Sequence, residues 1–201
     1  MLSKCIKIVA AMLLSVLIIG KSQAVVIYFS PAVQPGLTGD FVSMDLVVSG
    51  LGDGAAPSVG VWDFDISYDD LVLAVDGWTF SSELGDIGLG EAVDLSLGDD
   101  FFGLLGLSVL SLLTPAELDA LQGSEITLAT ITFEVLDLGI GEFTDVGIDW
   151  IYALGDGFGD PLDPSRTGVG RISNAVGVPE PGAAILLLTG LVLLARRASR
   201  R

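Results

Sequence analysis

The chain has 201 residues, 51% of them hydrophobic, with no histidine, one cysteine (Cys5) and a formal net charge of −17 from 26 acidic against 9 basic side chains. Histidine–cysteine zinc sites, Ser–His–Asp or Cys–His catalysis and disulfide frameworks therefore lack their parts. A surface this acidic repels a phosphate backbone, which argues against nucleic acid as a partner.

Lys4, Lys7 and Lys21 are the only lysines, Arg196, Arg197, Arg200 and Arg201 close the sequence, and between these groups only Arg166 and Arg171 are basic. All 26 acids fall from Asp40 to Glu180, so residues 25–195 carry 26 negative charges against two positive, a net −24. The partition predicts one acidic domain between two basic-flanked processing segments.

Residues 1–24 have the build of a secretory signal peptide. Lys4 and Lys7 supply the positive start, residues 8–20 an apolar stretch, and Ser22-Gln23-Ala24 a small-x-small site that places cleavage between Ala24 and Val25. The apolar stretch has 13 residues, short of the ~20 a bilayer span needs; an uncleaved anchor is the competing reading. Cleavage would remove Cys5 and leave an exported protein without a thiol.

Residues 25–177 amount to one domain, and their apolar residues recur mostly with period two. A strand is expected at 25–29. Next, Val42, Met44, Leu46 and Val48 share one face of a strand, and Trp62, Phe64, Ile66 and Tyr68 alternate with Asp63, Asp65, Ser67 and Asp69. Short strands follow at 71–75 and 104–110, whereas residues 84–113 as a whole lack clean alternation. Thr114, Pro115 and Glu117 form an N-cap, a first-turn proline and a capping box for a short surface helix, with Leu118 and Leu121 on one face and Gly123 at its end. Ala129, Ile131, Phe133 and Val135, then Val146, Ile148 and Trp150, mark two more half-buried strands, and 169–176 a last one. Glycine–aspartate turns such as Gly50-Leu51-Gly52-Asp53-Gly54 separate them. The pattern predicts an all-β sandwich of antiparallel sheets with one short helix.

The last two dozen residues combine Val178-Pro179-Glu180-Pro181, an apolar helix-like run at 182–195 and the basic stop Arg196, Arg197, Arg200 and Arg201. Such an order halts translocation and leaves the arginines on the cytoplasmic side. The run has 14 residues, marginal for a permanent span of ~20 and suited to a temporary hold; a simple membrane anchor is the competing reading. This tail resembles the PEP-CTERM sorting signal of Gram-negative bacteria that make extracellular polysaccharide. The resemblance implies recognition of Pro179-Glu180-Pro181 by an exosortase, a membrane-embedded cysteine transpeptidase. Transient inner-membrane association and then release or transfer to the envelope or exterior would follow.

A second resemblance rests on Gly39-Asp40, the run from Trp62 to Asp69 followed by Leu71-Val72-Leu73, Leu118-Asp119-Ala120-Leu121-Gln122, the run from Leu128 to Phe133, and Gly157-Phe158-Gly159-Asp160-Pro161-Leu162. In that order they resemble the cohesin-like domains carried by PEP-CTERM proteins. The resemblance implies a nine-stranded jelly-roll sandwich of the cohesin/carbohydrate-binding type, without catalytic residues. Cohesins proper grip dockerin modules.

The acids themselves point weakly to chemistry. Asp63, Asp65 and Asp69 fall on a polar strand face, where solvated carboxylates are expected, and the sequence shows no cleft for a glycosidase pair. Asp156, Asp160 and Asp163 sit in a glycine–proline loop whose hard oxygens suit calcium, although turn aspartates bonding local amides are the competing reading. Trp62 and Trp150 are expected in the core. Trp78, after Asp76-Gly77 in a turn-like context, is the candidate for a sugar contact. The expectation is a non-catalytic structural or adhesive module of the envelope or of a biofilm's polysaccharide matrix, bound to a polysaccharide or a protein partner. The alternative is a calcium- or carbohydrate-binding, lectin-like domain, with a glycoside hydrolase third.

Overall fold

The computed structural model describes residues 24–174. Residues 1–23 and the tail, with Val178, Pro179, Glu180, Pro181, Arg196, Arg197, Arg200 and Arg201, lie outside the described residues. Within them, strands numbered in chain order form two sheets packed face to face. One sheet runs β11 (Pro164–Thr167), β1 (Val25–Ser30), β3 (Phe41–Ser49), β9 (Glu125–Val135), β5 (Leu73–Phe80). The other runs β2 (Val33–Pro35), β12 (Gly170–Ser173), β10 (Phe143–Asp156), β4 (Val59–Ser67), β8 (Leu104–Ser111), β6 (Ala92–Asp94), with β7 (Gly98–Asp99) also on β8.

The predicted alternations carry the core. Met44, Leu46 and Val48 of β3, Trp62, Phe64 and Ile66 of β4, and Ile131 and Phe133 of β9 are all fully buried. Trp62 lies in the middle, 5.3 Å from the Phe64 ring and 5.9 Å from the Phe80 ring between centroids. Each such side chain contributes about 1.5–3 kcal/mol by leaving water, so this two-sided apolar layer dominates the fold.

Several expectations change. There are twelve strands among the described residues, not nine. The additional ones are short edge pairings recruited from connections, and two of these, β1 with β11 and β2 with β12, are parallel rather than antiparallel. The strand predicted at 71–75 begins at Leu73, because the Asp69 carboxylate accepts from Leu71 N and its carbonyl from Val72 N and Leu73 N, closing a turn first. Trp78 follows a bulge between Val75 and Gly77 but stays within β5, half-buried against the core, and not in a turn. The region 84–113 opens on the end of one 3₁₀ turn and contains a second, two very short strands and β8, too little periodic chain to leave a pattern.

The helix α1 (Pro115–Leu121) forms with both halves of its capping box: Glu117 N donates to Thr114 Oγ1 and Thr114 N to the Glu117 carboxylate. Leu118 is buried but Leu121 is half exposed. The inward position after Leu118 is taken by Gln122. Its Oε1 accepts from Val59 N at 2.6 Å, and its Nε2 donates to Val59 O at 2.7 Å and to Glu83 O at 3.0 Å. One buried amide thus ties the helix end to the start of β4.

The largest departure is in β10. Its alternation holds at Val146, then a bulge between Ile148 and Trp150 shifts the phase. Trp150 pairs with Asp65 on the outward face and is 63% exposed, so the expected core position is overturned. A second bulge between Ile151 and Ala153 returns Leu154 to the core and leaves Tyr152 65% exposed.

Candidate binding face

The two bulges decide which side chains stand on the outer surface of the sheet formed by β10, β4 and β8. Here Tyr152 lies across β4, and its hydroxyl donates to Asp65 Oδ2 at 2.9 Å. Asp65 is consequently buried rather than solvated. Beside it, Gly98 and Gly106 pair across β7 and β8 and form the floor of a groove of about 520 Å3, walled by Leu95, Leu97, Asp63 and Tyr152. A side chain at 106 would begin 3.3 Å from Asp65 Oδ1 and 3.4 Å from the Leu97 Cβ, so glycine keeps this floor low. Tyr152 is also a ridge: beyond it lies a second depression of about 330 Å3, lined by Val61, Ile151, Pro161 and Asp163.

The electrostatics follow from this crowding. Burial, and next the Asp65 charge, raise the Asp63 carboxyl above its usual range. The hydrogen bond to Asp65 raises the Tyr152 phenol. A raised carboxyl favours the protonated form more in the fold than in the unfolded chain. Ionised Asp63 therefore opposes folding at neutral pH, and the penalty begins to fall as pH drops to the folded-state value and is gone below the unfolded-state one. Asp63→Asn is expected to raise the melting temperature at neutral pH by ~1–3 °C. In scans repeated at falling pH the gain should shrink toward zero; a lower melting temperature at pH 7 would mean that the charge is instead stabilised by an unseen partner.

The calcium candidates do not converge. Asp156 Oδ1 accepts from Phe158 N at 2.8 Å and Asp160 N at 2.9 Å, the local turn bonding. Asp163 faces the second depression, and among the described residues no three acidic side chains come together to hold a metal ion. Nor, among the described residues, is any helix long and apolar enough to cross a membrane. The face was missed in the sequence because Trp150 and Tyr152 continue the alternation begun at Val146. The partly buried Ile148 and Ile151 and the buried Leu154, spaced by three, were the signal that the phase breaks.

No protein-family model matches this chain, and no curated protein matches it. Solved structures do. The chain has a cohesin-like fold. CaCohA2 from Clostridium acetobutylicum, in its solution structure, is 17% identical with a TM-score of 0.60, over 79% of this chain and 96% of that one. A type I cohesin–dockerin complex from Clostridium thermocellum matches at 15% identity and a TM-score of 0.59, over 76% and 99% of the two chains. The sixth cohesin of Acetivibrio cellulolyticus scaffoldin B, in complex with a mutant Cel5 dockerin, matches at 18% and 0.56, over 75% and 98%. These likenesses span nearly the whole of each cohesin chain and carry the fold of this cohesin-like domain.

Proposed function

We propose that this protein is an exported, non-catalytic adhesive module that holds a protein partner on the outward face of β10, β4 and β8. The observation that carries the reading is that face itself. Trp150 and Tyr152 are thrust outward by two bulges, next to an apolar-walled groove with carboxylates at its rim. Exposed aromatics beside a partly desolvated pocket are the makings of an interface hot spot. The cohesin-like fold supports the same reading, since two of the matched structures are cohesin–dockerin complexes. A glycoside hydrolase is disfavoured because Asp65, one of the two groove carboxylates on β4, is already engaged by Tyr152. A sugar ligand is the second reading, favoured by two neighbouring outward rings, Trp150 and Tyr152, that could stack on a polysaccharide.

Sorting belongs to the same proposal. The signal segment ending at Ala24 exports the chain, residues 182–195 hold it in the inner membrane, and an exosortase cleaves at Pro179-Glu180-Pro181, passing the domain to the envelope or the extracellular matrix. A structural calcium at Asp156, Asp160 and Asp163 and a sugar contact at Trp78 remain proposals of lower rank, each lacking a supporting contact.

One experiment tests both halves. The protein, recovered from the extracellular fraction of its native host, is expected to begin at Val25, to end near Pro179–Pro181 by intact mass, and to carry a protein partner. Trp150→Ala, at an exposed position, should weaken that partner by about 30-fold or more, the scale of a hot-spot truncation. A full-length tail confined to the inner membrane would sink the sorting reading. Unchanged partner affinity would sink the face, and retention on host polysaccharide lost in Trp150→Ala would favour the sugar reading.

A further inference from the structure

Strand register brings the segments 36–41, 68–72, 99–104 and 136–143 to one end of the sandwich. Phe41 pairs with Glu134, Ser67 pairs with both Leu104 and Gly147, and Leu136 N donates to Val72 O. The chain leaves toward its tail from this same end. Asn174 N donates to Glu142 O, its carbonyl accepts from Gly141 N, and its Nδ2 donates to Leu138 O at 2.7 Å. Ala24 lies at the opposite end, against Gly50.

This end also carries an unusual share of the exposed apolar surface. Among the described residues six large hydrophobic side chains are more than 75% exposed, and four of them, Leu71, Phe101, Phe102 and Ile140, are here. Single exposed leucines are ordinary on a soluble domain; four apolar side chains at one end, two of them adjacent phenylalanines, are not. The phenylalanines sit on the tip between β7 and β8 in a braced conformation. Phe101 has φ +63°, the one positive value of a non-glycine residue among those described. Asp99 Oδ1 accepts from Phe101 N at 3.1 Å, while Asp100 Oδ1 accepts from Phe102 N at 2.8 Å and Leu104 N at 3.1 Å. The Tyr68 hydroxyl holds Asp99 from below at 2.5 Å. A bulky side chain thus stands where glycine would be free of strain, and the surrounding bonds keep it there, a pattern that clusters at ligand-contacting sites.

The tether says what meets this tip. Seven residues, 175–181, separate Asn174 from the apolar run that begins at Gly182. Fully extended, they reach about 25 Å. We propose that, while residues 182–195 are held in the bilayer, Phe101, Phe102, Leu71 and Ile140 rest on the lipid surface and seat the domain end-on against the membrane. The inference rests on the sorting reading above. A tether this short sets an effective concentration near the millimolar range, so a contact too weak to recruit the free domain is populated once the tail is inserted. Asp69, Asp70, Asp99 and Asp100 flank the tip, so the surface that fits is zwitterionic: anionic headgroups would repel these carboxylates. Seated this way, Trp150 and Tyr152 stand along the side of the domain, and the groove beside them runs down to the tip at Asp100 and Leu104.

The test uses the processed chain, residues 25–201, which contains no native cysteine, in phosphatidylcholine vesicles that carry doxyl-labelled lipid. Phe102→Cys provides one fluorophore site, and Leu121→Cys, half-exposed on α1 at the opposite end, provides the control. The label at 102 is expected to be quenched several-fold more than that at 121, and less so when a third of the lipid is phosphatidylglycerol. Equal quenching in chains that float with the vesicles would overturn the seating and leave the tail reading standing. Failure to float would overturn both. A label at 102 shielded from iodide yet untouched by lipid quenchers would show that the tail or a second copy covers the tip, which also overturns the proposal.

Discussion

Trp62→Ala is expected to cost about 3–5 kcal/mol, the largest loss available from one side chain in this domain, and to lower its melting temperature by roughly 10–20 °C. Trp62 is fully buried between the sheets, with Phe64 and Phe80 against it, and the surrounding core relaxes only in part into the space that a lost ring leaves. The companion variant is more informative. The indole Nε1 of Trp62 is buried with no hydrogen-bond partner among the described residues, so the wild-type ring already bears the penalty of an unmet donor. Trp62→Phe removes that donor along with part of the volume, and the two changes oppose each other. Its loss in urea denaturation should stay below about 2 kcal/mol. A loss equal to that of the alanine variant would mean that the indole N–H does find a partner, such as a buried water.

Gln122→Ala should lower stability by about 3 kcal/mol, because it strands two buried backbone groups, Val59 N and Val59 O, and the partly buried Glu83 O. Gln122→Glu makes the argument sharper. A carboxylate can still accept from Val59 N but cannot donate to either carbonyl. The variant should be at least as unstable at neutral pH and recover in part on acidification, when a protonated carboxyl regains a donor. Chemical denaturation across pH reads this directly. If Gln122→Leu, of similar bulk, unfolds at the wild-type urea midpoint, then water is replacing the amide and the clamp contributes nothing.

Both residues show how far the sequence reaches. Trp62 was legible because its strand alternates strictly over Trp62, Phe64, Ile66 and Tyr68, and only one face of such a strand can be apolar in a sandwich. The capping box of α1 was legible for the same local reason, as Thr114 and Glu117 are three residues apart and bond each other's amides. Gln122 was not. Its partners are 63 and 39 residues away, and nothing in its neighbours distinguishes a buried amide from a surface one. Leu121 was misassigned for the same reason: a helix of seven residues leaves its inward face to be chosen by what it packs on.

The sequence by itself determined the acidic partition of the chain, the two-sheet sandwich with the core residues of β3, β4 and β9, and, through the lack of histidine, the absence of histidine-based chemistry. Those properties depend on composition and on periodicity within single strands. Only the tertiary structure decided which aromatics face outward, which carboxylate is buried and where the chain exits. A bulge reverses the facing of every later residue in its strand, and whether one forms depends on pairing with a distant neighbour, here β10 against β4. The groove at Asp65 and Tyr152, and the tip at Phe101 and Phe102 beside the exit at Asn174, exist because long-range register brings together segments that are far apart in sequence.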